Sequence, residues 1–161
     1  MLVRRIEDFL KYFEGIRRRT LTFAAAIPAD RIDWQPRDGE FSCGEIIRHL
    51  GSVQLMNFEA FAGKARHYRG HAAELGSSKQ QALAYLAECD AAARALLEGI
   101  SDEALEEKQK DLRGRDISAW RFLMATVEHE VHHRSQLASY LTWMGEQPPQ
   151  LYGIYMEELP K

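Results

Sequence analysis

A chain of 161 residues, 45% of them apolar, is long enough to bury one real core and fits a single domain over residues 1–161. Its 21 basic and 24 acidic residues leave a formal net charge of −3, which argues against a general nucleic-acid or anionic-membrane binder. No apolar run approaches the roughly 18 residues of a membrane-spanning helix, and Arg4, Arg5, Glu7 and Asp8 put charge where a signal peptide needs its apolar region. A cytoplasmic, reduced protein is expected. The two cysteines, Cys43 and Cys89, lie far apart without zinc-type spacing and read as ordinary core or boundary thiols.

From Val3 to about Ala26 the residues Ile6, Phe9, Leu10, Phe13, Ile16, Thr20 and Leu21 step by three and four, the stripe of an amphipathic helix. Arg17-Arg18-Arg19 within it reads as a solvated face. Pro28, Pro36 and Gly39 mark residues 27–41 as an ordered loop with Trp34 tucked inward. Ser42-Cys43-Gly44-Glu45 is a capping box, so a second helix starts there and runs to about Ala62 with Ile46, Leu50, Val53, Asn57 and Phe61 inward. His49 sits on the edge of that face, either a satisfied core histidine or a metal ligand. Residues 64–77 form a connection long enough to run the full length of a helix, so an end-to-end crossover is possible there. Its His67 and His71 stand four apart, but the surrounding glycines and polar residues make both surface residues by expectation.

Ser78-Lys79-Gln80-Gln81 is a second capping box and opens a third helix with Ala82, Leu86, Cys89, Ala93 and Leu96 inward, closed by Gly99. Residues 101–116 read as a loop with room for one helical turn after Ser101, and no strand is anticipated. A fourth helix opens at Ser118, where Ile117 and Phe122 take the hydrophobic-staple positions, and ends near Met144 before Gly145 and Pro148-Pro149. A tail from Gln150 to Lys161 follows, with Leu151, Tyr152, Ile154 and Tyr155 available for packing. The architecture expected is all-α, a four-helix bundle.

The fourth helix carries His129-Glu130-Val131-His132-His133-Arg134. The two outer histidines are one turn apart, so their imidazoles stack on one face, shared with Phe122, Thr126, Leu137, Tyr140 and Met144. A pair of unpartnered imidazoles facing a core would be costly, which favours metal binding over a merely solvated helix face. His132 is a quarter-turn away, at the boundary. The string also satisfies the His-Glu-x-x-His pattern of zinc peptidases, with Glu130 in the place of the general base. Those enzymes set the metal beside a sheet that aligns an extended peptide, and no strands are expected here, so peptide hydrolysis is a minor reading.

Trp34-Gln35-Pro36, the helix start Phe41-Ser42-Cys43-Gly44-Glu45-Ile46 with its following His49, and His129-Glu130-Val131-His132-His133-Arg134-Ser135-Gln136-Leu137 followed by Gly145 and Pro148-Pro149 together resemble the DinB/YfiT-like superfamily. One departure is Ser135, where many relatives have glycine. The resemblance spans nearly the whole chain. It implies an up-down-down-up bundle and a divalent metal held by His49, His129 and His133. It also implies a metal-dependent thiol S-transferase or hydrolase acting on a small substrate, with a low-molecular-weight thiol as a partner and a homodimer as the assembly. Zn²⁺ is the first choice for three imidazoles, with Ni²⁺ or Fe²⁺ also suited. Any activity is expected to use water or a thiolate on that metal, with Glu130 or a nearby polar residue moving the proton. The competing expectation is a non-catalytic stress-response binding module whose metal is structural or vestigial.

Overall fold

A computed structural model describes residues 3–160. Four helices dominate it: α1 (Ile6–Ala26), α2 (Cys43–Phe61), α3 (Lys79–Leu97) and α4 (Ala119–Trp143). Both capping boxes form as expected. Ser42 accepts from the Glu45 backbone N–H while Glu45 accepts from that of Ser42, and Ser78 and Gln81 do the same for α3. These reciprocal bonds satisfy backbone donors that the first turn leaves free, which fixes where each helix begins. Gly99 and Gly145 follow α3 and α4 in left-handed conformation, at φ 79° and 84°.

Helix directions follow from which residues meet. Arg17 of α1 meets Glu130 of α4, and residues at the start and end of α1 share core clusters with the start and end of α4, so the two run parallel. On α2 and α3, Ser52 meets Tyr85 and Gln54 meets Asp90, also in parallel. Asn57 meets Thr126 and His49 meets His129, which sets α2 antiparallel to α4. The result is the expected up-down-down-up four-helix bundle. Parallel α2 and α3 require residues 62–78 to travel back along the bundle, as an end-to-end crossover. At their contact, Gly51 lets α3 come close: a Cβ there would meet Cys89 Cβ at 3.2 Å and Leu86 Cα at 3.3 Å.

The core has two apolar halves. One gathers Phe9, Phe13, Phe58, Phe61, Leu97 and Phe122, and the other Phe23, Ile27, Ile46, Leu50, Leu86 and Leu137. Between them lies a polar layer that joins all four helices. Arg17 Nε stands 3.0 Å from Glu130 Oε1, Arg17 donates to Gln54 Oε1 at 2.7 Å, and Gln54 donates to Asp90 at 2.7 Å. Arg17 is only 3% exposed, which corrects the expectation that the whole arginine run is solvated: its first member lies on the inner face and is held by charge. Cys43 and Cys89 are buried free thiols, as expected, and burial pushes the Cys43 thiol up to about 12.

The segment expected to be a loop contains a two-stranded antiparallel hairpin, β1 (Lys108–Lys110) and β2 (Asp116–Ser118). Its turn is built by Asp111, whose carboxylate accepts from the backbone N–H groups of Arg113 and Arg115, and by Gly114 at φ 76°. Three-residue charged strands show no alternation, so periodicity gives no sign of them. The end of α4 is only partly covered: Tyr140 is buried against Trp34, whereas Trp143 is 62% exposed. In the tail, Leu151, Tyr152, Ile154 and Tyr155 are all exposed.

Candidate metal centre

Two helices present three imidazoles to one point. His129 and His133 lie one turn apart on α4, and antiparallel α2 brings His49 opposite them. His49 Nε2 is 3.0 Å from His129 Nε2, which is 3.1 Å from His133 Nε2. The three ligand atoms lie within 4.8 Å of one another, and no other His, Cys, Asp or Glu among the described residues joins the group.

This spacing suits a metal ion. At a metal–nitrogen distance of about 2.0–2.1 Å, ligands separated by about 90–110° place their nitrogens about 2.8–3.4 Å apart. Both measured separations fall inside that range. The protonation state suits it as well. Burial, reinforced by His133 and His71, lowers His49 to about 4, and burial with the neighbouring His133 and His49 lowers His129 to about 3. His133 is lowered mainly by burial, although its bond to Gln136 works the other way. All three rings are therefore neutral near pH 7, with lone pairs available for a cation.

Each flanking ring has an outer partner. His133 Nδ1 lies 2.6 Å from Gln136 Oε1, an acceptor one turn along α4, which fixes the Nδ1–H tautomer and leaves Nε2 bare. His49 Nδ1 lies 2.7 Å from the Tyr68 hydroxyl. The Gln136 contact is readable from i, i+3 spacing on a helix, but Tyr68 is not, because it arrives from the crossover. His71 differs from expectation too. It is partly buried, its ring packs on Phe41 at 4.4 Å between centroids, and its Nδ1 meets the same Tyr68 hydroxyl at 2.7 Å. The crossover is not a free surface loop, because Ser52 and Arg48 of α2 hold its backbone carbonyls. His67 is exposed as expected, and His132 is exposed beside His133 at 4.9 Å between rings.

Glu130 is not brought to the histidines. It is 1% exposed, and its carboxylate belongs to the polar layer, 3.0 Å from Arg17. Burial pushes this carboxyl up, opposed by the Arg17 charge. The physical reason is rotation: one position beyond His129 turns the side chain by about 100°, towards α1 instead of α2.

A pocket of about 540 Å³ adjoins the centre, and His49 and His129 form part of its wall. Val53, Met56, Ile117 and Phe122 make the wall mostly apolar, and Asn57 adds a polar group whose amide donates to Thr126 at 3.0 Å. The hairpin turn closes one side. Arg66 from the crossover stacks on Phe122 and donates to the Lys110 and Asp111 carbonyls, tying hairpin and crossover together beside this wall.

A sequence model described as the DinB family matches residues 1–160. The chain is 26% identical over 145 residues to a Bacillus subtilis (strain 168) protein described as uncharacterized protein YjoA, covering 86% of this chain and 90% of that one. Among solved structures, a DinB-like protein from Bacillus cereus ATCC 10987 superposes with a TM-score of 0.76 at 18% identity, covering 94% of this chain and 99% of the other. YfiT from Bacillus subtilis, described as a probable metal-dependent hydrolase with an unusual four-helix bundle topology, superposes with a TM-score of 0.67 at 18% identity, covering 89% and 91%. At these identities the structural likeness is one of fold.

Proposed function

The chain belongs to the DinB family, and from that premise, with the three convergent imidazoles, we propose a divalent-metal-dependent enzyme that transfers a group from a small, largely apolar substrate to water or to a low-molecular-weight thiol. The observation that carries this reading is the one-sided construction of the centre. His49, His129 and His133 supply three ligands, no fourth side chain joins them among the described residues, and two of the three also line the pocket. A structural site closes its coordination shell with protein, whereas a catalytic one leaves a position for a reactant. The description of YfiT as a probable metal-dependent hydrolase agrees with this reading.

A bound divalent cation, with Zn²⁺ the first choice and Ni²⁺ or Fe²⁺ alternatives, supplies Lewis acidity that lowers the pKa of water or a thiol. The chain's own residues do the rest. Neutral, desolvated imidazoles hold the cation without competing protons. The apolar wall of Val53, Met56, Ile117 and Phe122 excludes water from the substrate's body, and the Asn57 amide, fixed by Thr126, orients its polar part. Glu130 serves as a buried anchor in this scheme. Its engagement with Arg17 removes the general base that a His-Glu-x-x-His peptidase requires, so peptide hydrolysis is set aside.

The test loads apo-protein with Zn²⁺, Ni²⁺ or Fe²⁺ and assays ester and amide hydrolysis beside conjugation of thiols to electrophiles, with elemental analysis of each preparation. Wild type is expected to hold one ion per chain and to turn over in one assay, and His129→Ala to lose both. Turnover that survives chelation and His129→Ala would refute the reading. Metal uptake with no turnover in any assay would favour the binding-module alternative.

A further inference from the structure

The crossover carries two side chains that the metal reading does not use. The Tyr68 hydroxyl lies 2.7 Å from His49 Nδ1 and 2.7 Å from His71 Nδ1. A hydroxyl has one proton, so it donates to one ring and accepts from the other. It follows that one of the two rings, and not both, carries its proton on Nδ1. The surroundings hold this arrangement in place. Ser52 donates to the Gly70 carbonyl at 2.6 Å, and Arg48 donates to the carbonyls of His71 and Gly76 at 2.7 Å each. Arg48 and Ser52 flank His49 on α2 and are themselves buried, so the helix that presents the histidine also seats the tyrosine that touches it.

Resting on the metal reading above, we propose that Tyr68 and His71 form a hydrogen-bonded chain that orients His49 and selects its metal-binding tautomer. In that polarity His49 donates from Nδ1 to Tyr68, Tyr68 donates to His71 Nδ1, and His71 keeps its own proton on Nε2. The opposite polarity puts the His49 proton on Nε2, pointing at His129 Nε2 3.0 Å away, and removes the lone pair a cation needs. Occupation of the centre thus sets the tautomer of a histidine on the crossover, through one phenol. Both residues are positioning residues. Gln136 performs the simpler version for His133, through the amide oxygen it turns towards Nδ1. Outer partners of this kind are generally worth about 10–100-fold in metal affinity.

The experiment titrates Zn²⁺ into wild type, Tyr68→Phe, His71→Leu and His71→Gln against a chromophoric chelator, and records two-bond ¹H–¹⁵N spectra of the histidine rings with and without zinc. Tyr68→Phe is expected to bind about 10–100-fold more weakly at unchanged stoichiometry and unfolding midpoint. His71→Leu should lose part of this and His71→Gln, which keeps an acceptor, should recover it. Zinc should drive His71 to the Nε2–H form in wild type and leave it mixed in Tyr68→Phe. Wild-type affinity in Tyr68→Phe, or a His71 tautomer indifferent to zinc, would overturn the proposal. The metal-free spectra decide the chain independently: wild type should show one Nδ1–H shared between His49 and His71, and Tyr68→Phe should abolish that correlation. Wild type that binds no zinc would defeat the proposed function, while these metal-free spectra would still support or overturn the hydrogen-bonded chain.

Discussion

Removing one member of the Arg17–Glu130 pair should cost far more than removing both. The two groups are 3% and 1% exposed and stand 3.0 Å apart, so either one alone becomes an uncompensated charge in a dry interior. Breaking such a pair typically costs about 3–5 kcal/mol, whereas replacing it by apolar side chains of similar volume is often neutral or better. Arg17→Met also leaves the buried Gln54 Oε1 without its donor, because the bond to Asp90 is made by Gln54 Nε2, and that loss adds about 1–3 kcal/mol. For a domain of this size each kcal/mol moves the melting midpoint by about 2–4 °C, so Glu130→Met should melt about 6–20 °C lower and Arg17→Met lower still by the added Gln54 loss. The double variant Arg17→Met/Glu130→Met should be more stable than either single one. Urea unfolding followed by helical circular dichroism measures all four proteins. Single-variant costs below about 1 kcal/mol, or costs that simply add in the double variant, would refute the reasoning. The same double variant should still bind one metal ion, since its residues lie outside the histidine group; loss of metal would return Glu130 to the centre.

Acidification should act oppositely on the apo fold and on metal retention compared with an ordinary histidine site. His49 and His129 are lowered from 6.5 to about 4 and about 3, so unfolded chains take up protons that the folded protein refuses. The apo-protein therefore loses stability as pH falls below 6.5 towards 5, and urea midpoints that are flat or rising over that window would contradict it. Protons compete for the same nitrogens only at lower pH, so bound metal should persist below pH 6, as dialysis against buffers from pH 7 to 4.5 with elemental analysis would reveal. Gly51→Val should lower stability by about 1–3 kcal/mol, because its Cβ meets the backbone of α3 at Leu86 Cα, and unchanged unfolding would show that α2 and α3 can separate at no cost.

Helix positions were legible because capping, spacing and terminating residues all act locally. Ser42, Ser78, Gly99 and Gly145 mark ends that the structure reproduces to within a residue or two. The histidine pair of α4 was legible for the same reason, since one turn of helix fixes the distance between His129 and His133. His49 depended on the relative placement of two helices, which periodicity does not encode, and the family resemblance supplied it. What escaped were contacts made by irregular backbone. Tyr68 and His71 reach the centre only because Arg48 and Ser52 seize carbonyls of the crossover, and the hairpin forms around a single Asp111 carboxylate. The inward turn of Arg17 does not show in the sequence, because a run of three arginines looks uniform while a helix turns about 100° between the first and the second.

The crossover also has a kinetic consequence. Parallel α2 and α3 cannot zip into a local hairpin, and a contact such as Gln54–Asp90 joins positions 36 apart in sequence. Closing so long a loop costs chain entropy before the contact repays it, so this bundle should fold more slowly than an up-down-up-down bundle of equal length. The loop that must close is the crossover carrying Tyr68 and His71, so the contacts that steer His49 are formed at the same entropic cost as the pairing of α2 with α3.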